Sequence, residues 1–96
     1  MKAASDYECH ITMELVPKSK RQDIKDLCAS YGFWVSHIDN DLELGKGVKS
    51  YATAHGPNMK ELKHTMMCLS AHLRGSGGMK VLRNKIEKII YDVRFE

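Results

Sequence analysis

Ninety-six residues, 43% hydrophobic and 28% charged, suffice for one domain (1–96) around a single modest core and exclude a disordered chain. Fifteen basic against twelve acidic residues leave a net charge of +3, which admits an anionic partner but excludes a dedicated basic nucleic-acid arm. Three cysteines (Cys9, Cys28 and Cys68), odd in number and without C-x-x-C spacing, argue against a disulfide framework and for reduced, buried thiols in a cytoplasmic protein. Met1 to Asp6 carries no apolar leader and no run reaches membrane-spanning length, so no membrane is expected.

From Tyr7 to Leu15 the odd positions are Tyr, Cys, Ile, Met and Leu, and the even ones are Glu8, His10, Thr12 and Glu14. This period of two predicts a strand with one dry and one wet face. Val16-Pro17 ends it. Ser19 and Gln22 carry the spacing of a capping box, and Ile24, Leu27, Cys28 and Tyr31 follow at helical intervals until Gly32, predicting a helix over 20–31. Phe33 to Ile38 is aromatic and β-branched enough for a second strand. The Asp39-Asn40-Asp41 and Gly45-Lys46-Gly47 clusters make the next segment a turn-rich loop, a candidate lid from Asp39 to Lys49.

Val48 to His55 reads as a third strand, with Ala52 and Ala54 towards the helices and Tyr51, Thr53 and His55 the other way. Gly56-Pro57-Asn58 then opens a second helix over 58–74, its stripe Met59, Leu62, Met66, Leu69 and Leu73. Met59, Met66 and Met67 fit core packing. Gly75-Ser76-Gly77-Gly78 stops the helix. Met79 to Glu87 predicts a fourth strand, Leu82 and Ile86 inward and Arg83, Lys85 and Glu87 outward, then a bend or short strand through Tyr91. A helical template also fits this stretch, and the glycine turn favours the strand.

The order β-α-β-β-α-β is the ferredoxin-like arrangement, an α+β fold with two helices on one face of a four-stranded antiparallel sheet. In that topology strands one and three are central and strand four flanks strand one. The open face then gathers Glu8, His10, Thr12, Glu14, Tyr51, Thr53, His55, Arg83, Lys85 and Glu87. Arg83 and Lys85 supply fixed charge and Thr12, Tyr51 and Thr53 supply hydroxyls, a set suited to phosphate oxygens. Histidine is the side chain whose charge changes near neutral pH, so His10 and His55 would make binding pH-dependent.

Three uses of that face compete. The first is binding of a phosphorylated small molecule or a nucleic-acid backbone, which is favoured. The second is catalysis with His10 and His55 as an acid–base pair. Here the chain resembles two-histidine phosphoesterases in its ingredients: His10-Ile11-Thr12 matches their H-x-[ST] element, whereas Thr53-Ala54-His55 reverses it and the chain is too short for two lobes. The third is a protein-interaction surface, a homodimer burying the face. The outward positions offer Tyr51 but otherwise His, Thr and charge, which weighs against base-stacking recognition of the kind RNA-recognition modules use and leaves backbone or nucleotide binding open.

No metal site and no cofactor is expected. His64, Cys68 and His72, at i, i+4 and i+8, stretch over about 12 Å of helix, too far for one ion. Neither glycine cluster has the spacing of a nucleotide-binding loop. Cys9-His10-Ile11-Thr12, the segment 51–55 (Tyr-Ala-Thr-Ala-His) and the run 81–87 (Val-Leu-Arg-Asn-Lys-Ile-Glu) together resemble small, functionally unassigned proteins of bacteria and phages over nearly the whole chain. That resemblance implies a role for His10, Thr12, Thr53, Arg83 and Lys85. In a phage setting it implies interference with a host factor or a host nucleotide signal.

Overall fold

The structure, a computed structural model, describes residues 6–38 and 48–89. Its elements in chain order are β1 (Tyr7–Glu14), α1 (Arg21–Ser30), β2 (Trp34–Ile38), β3 (Lys49–Gly56), α2 (Met59–Arg74) and β4 (Val81–Lys88). The four strands form one antiparallel sheet in the order β2-β3-β1-β4, so β1 and β3 are the central pair. The fold is α+β. The predicted lid over 39–49 falls largely outside the described residues, as does the predicted bend through Tyr91.

Alternation along the strands divides the sheet into two surfaces. Cys9, Ile11 and Met13 of β1 and Ala52 and Ala54 of β3 are buried in one core with Ile24 and Cys28 of α1 and Leu62, Met66, Leu69 and Leu73 of α2. The small alanines let the helices approach the central strands. Both helices therefore cover the face made by the odd residues of β1, and the even residues are left on the other.

Helix α1 begins differently from its sequence signature. Lys18–Lys20 forms a 3-10 turn, and neither it nor α1 receives a side-chain cap, so the Ser19/Gln22 capping box does not form. Gln22 instead donates to Asp26 Oδ1 (2.9 Å), and Arg21 Nε donates to the Val16 carbonyl (3.0 Å). The chain leaves α1 through Gly32, whose φ of +82° is accessible to glycine and strained for other residues.

Helix α2 starts as predicted. Asn58 is its N-cap, its side-chain oxygen accepting from the Glu61 amide at 3.0 Å. The stripe is shorter than the sequence pattern suggests: Leu62, Met66, Leu69 and Leu73 are buried, while Met59 and Met67 are about half exposed. Only Met66 of the three methionines thus belongs to the core. At the far end a Cβ on Gly77 would lie 2.8 Å from the Leu73 carbonyl oxygen, so the turn out of α2 requires glycine there.

Strand β4 starts two residues later than predicted, at Val81, and carries an irregularity. Thr12 pairs with Arg83 but Met13 pairs with Val81, so Leu82 is the extra residue of a bulge. Leu82 was expected inward with Ile86; the bulge removes it from the alternation and leaves it 44% exposed. Beyond the bulge Arg83, Lys85 and Glu87 lie on the open face, as their alternation predicts. The thiols also divide: Cys9 and Cys28 are buried, whereas Cys68 is exposed.

Candidate functional site

Strand pairing arranges the open face as rows running across the sheet. One row is Glu87, Glu8 and His55; the next is Lys85, His10, Thr53 and Trp34; the third is Arg83, Thr12, Tyr51 and Ser36. Glu14, Lys49 and Ile38 complete the surface at the far end of β1. Every site residue read from the sequence (His10, His55, Thr12, Tyr51, Thr53, Arg83 and Lys85) is therefore on one surface.

Trp34 was missed. Phe33 to Ile38 is apolar on both alternations, so its facing is hidden in the sequence. Pairing with β3 resolves it: Val35 lies beside Ala52 on the helix side, and Trp34 beside Thr53 on the open side. Trp34 is 51% exposed and stands edge-to-face against the His55 ring, centroids 5.1 Å apart. The usable signal was the i, i+2 relation of Trp34, Ser36 and Ile38, once the neighbouring strand's outward set was known.

Glu8 draws the two histidines together. Its carboxylate meets His55 Nε2 at 2.9 Å through Oε2 and His10 Nε2 at 3.5 Å through Oε1. The other nitrogen of His10, Nδ1, shares a 3.0 Å hydrogen bond with the Thr53 hydroxyl. The Glu8 carboxyl is held below its ordinary value, chiefly by the hydrogen bond from His55, with lesser help from both imidazole charges and the His10 contact, and against partial burial. The two imidazoles thus converge on a carboxylate rather than standing either side of an open gap, the arrangement a His–His acid–base pair needs.

The remaining polar residues differ in availability. Thr53 is only 6% exposed, enclosed in its row between His10 and Trp34, with its hydroxyl already engaged. Lys85 bonds Glu87 Oε2 at 2.7 Å, and this holds the Glu87 carboxyl below its ordinary value. Arg83 has no hydrogen-bond or ion-pair partner among the described residues and stands exposed. Thr12 and Tyr51 are half-buried beside it.

The helix constellation does not close around a point. His64 Nε2 and Cys68 Sγ touch at 3.6 Å, but His72 turns to the Tyr31 hydroxyl, 3.1 Å away. No helix among the described residues is long and apolar enough to cross a membrane. Comparison of the chain with protein-family models, with curated proteins and with solved structures found no match.

Proposed function

We propose that this protein is a ferredoxin-like binding module that holds a phosphorylated ligand, best a short single-stranded nucleic acid, on its open sheet face. The fold assignment is supported by the element order and by the strand order β2-β3-β1-β4. A cytoplasmic setting is part of the proposal, supported by three cysteines that form no disulfide.

The observation that carries the ligand class is that Trp34 on β2 and Tyr51 on β3 share the open face with Arg83 and Lys85 on β4. Aromatic faces stack bases irrespective of sequence, and a row of cations tracks the backbone. Three inter-strand steps of about 4.8 Å put Trp34 roughly 14 Å from Lys85. A single nucleotide does not comfortably reach from a base on Trp34 to a phosphate at that distance; two or more linked nucleotides do. Thr12 and Tyr51 offer hydroxyls along the path, while Thr53, buried and bonded to His10, positions the imidazole and makes no ligand contact.

Trp34 is the sole tryptophan of the chain, so its fluorescence reports occupancy of the face directly. Titration with a mixed-sequence single-stranded oligonucleotide, in the presence of chelator, is expected to quench it. In parallel anisotropy measurements with a labelled strand, Arg83→Ala with Lys85→Ala is expected to weaken binding at least tenfold at low salt. The same pair should flatten the salt dependence by about one contacted phosphate per lost cation. Trp34→Ala is expected to lose about 1–3 kcal/mol of affinity. Unchanged affinity in both variants overturns the reading. So does a concentration-dependent mass that masks Trp34 without any oligonucleotide response, which would give the face to a second copy of the chain.

A further inference from the structure

The row Glu87, Glu8 and His55 contradicts ordinary sheet design. Glu8 and Glu87 are direct cross-strand partners on β1 and β4, and like charges directly opposite destabilise a sheet. Lys85 satisfies one oxygen of Glu87, but no arginine or lysine is bonded to Glu8 among the described residues. The neighbours that Glu8 does have are imidazoles. A carboxylate pair flanked by histidines is the donor set of a borderline divalent ion.

We infer that Glu8, His10 and Glu87 form a binding site for a divalent transition-metal ion of the zinc class on the open sheet face. One donor atom from each residue lies within 4.8 Å of the others. The 3.5 Å between His10 Nε2 and Glu8 Oε1 is already the separation of two ligands about 2.1 Å from a tetrahedral ion, roughly 3.4 Å. Glu87 is exposed, and its donor atom lies within 4.8 Å of those of Glu8 and His10.

Each donor is also oriented by a separate outer partner. Thr53 holds His10 through Nδ1 at 3.0 Å, leaving Nε2 towards the carboxylates. His55 holds Glu8 through Oε2 at 2.9 Å, leaving Oε1 towards His10. Lys85 holds Glu87 through Oε2 at 2.7 Å. Metal-binding imidazoles and carboxylates characteristically carry such partners, which fix the ring and raise the donor's basicity. Solvated surface pairs have no need of a third contact on every member.

The mixture of nitrogen and oxygen donors selects against calcium and magnesium, whose protein ligands are oxygens. Three protein ligands leave a coordination position open to solvent, where water or a phosphate oxygen can bind. A dipositive ion there would cancel the two carboxylate charges in the row adjoining Lys85. The site stands independently of the nucleic-acid reading, because oligonucleotide binding is measured with chelator present.

The test uses chelator-stripped, desalted protein carrying Cys68→Ser, which removes the exposed thiol beside His64 as a competing ligand. Calorimetric titration with zinc is expected to give one equivalent per chain. Cobalt substitution is expected to give visible absorption without a thiolate band. Glu87→Gln, at an exposed position that leaves the core intact, and His10→Ala are each expected to weaken binding at least tenfold. Thr53→Val is expected to weaken it about 10–100-fold through the lost orientation of His10. No binding at millimolar zinc, or binding unaltered by both Glu87→Gln and His10→Ala, overturns the inference.

Discussion

Glu8 and Cys9 are consecutive residues of β1, and their environments push their acidities in opposite directions. Burial in the helix-covered face raises the Cys9 thiol to about 11, while hydrogen bonds on the open face, above all from His55, lower the Glu8 carboxyl. One peptide unit separates a group kept neutral from a group kept charged. The same strand thus serves two surfaces with different physics: one dominated by exclusion of water, the other by exchangeable polar contacts in partial contact with it. Stability should reside in the first and recognition in the second, and substitutions can test that division.

The largest expected effect is on the covered face. Leu69 is fully buried in the stripe of α2 against the central strands. Leu69→Ala removes buried methylenes and leaves a cavity, a loss of about 2–5 kcal/mol of unfolding free energy. Chemical denaturation should register it, with oligonucleotide affinity of the folded fraction unchanged. A fall in affinity at full folding would mean that the two faces are not separable.

How much of this division was legible in the sequence follows from the same alternation. β1 reads correctly because its two faces differ in polarity at every step, so the positions of His10 and Thr12 were fixed before any pairing was known. Ala52 and Ala54 were placed correctly for the same reason. β2 does not read, because Trp34 and Ile38 on one side and Val35 on the other are all apolar; only cross-strand pairing shows that Trp34 joins the open face. Leu82 misled because period-two counting assumes an unbroken ladder, and a bulge between Arg83 and Val81 breaks it. Ser19 and Gln22 had the spacing of a cap but not its backbone, since a 3-10 turn occupies the place of the cap. The link between Glu8 and both histidines needed β1 and β3 in register, information that no local pattern carries.

A smaller effect is expected from the alkaline limb of the stability curve, and it belongs to the covered face. Cys9 and Cys28 are each raised by burial from 9.0 to about 11. In the unfolded chain these thiols lose their protons above pH 9, while in the folded chain they keep them until about pH 11. The unfolded state therefore binds fewer protons in that window, and stability falls as pH rises through it. At pH 10 each thiol accounts for about 1 kcal/mol of the loss. Cys9→Ala should flatten the slope above pH 9 by its share, after correction for its packing cost at pH 7. An unchanged slope would show that the thiol is not shielded as its burial requires. Thiol labelling checks the same point: in the folded protein only Cys68 should react at neutral pH, and Cys9 and Cys28 should react on unfolding.

The smallest effect lies on the acid limb and belongs to the open face. Glu8 has a folded pKa below its ordinary 4.5, so its contacts stabilise the protein above that value and are lost as pH falls through the lowered one. Its side chain is 31% exposed, and solvent screening limits the contribution to about a few tenths of a kcal/mol. Glu8→Gln, measured in chelator so that no metal intervenes, should shift the acid midpoint slightly and weaken its salt dependence. His55→Ala should produce most of the same shift, because the hydrogen bond from His55 is the largest cause of the lowered pKa. If His55→Ala left the acid limb untouched while Glu8→Gln altered it, the carboxylate would owe its acidity to something other than the imidazole beside it. The open face would then be a set of independent charges rather than the coupled row that its geometry describes.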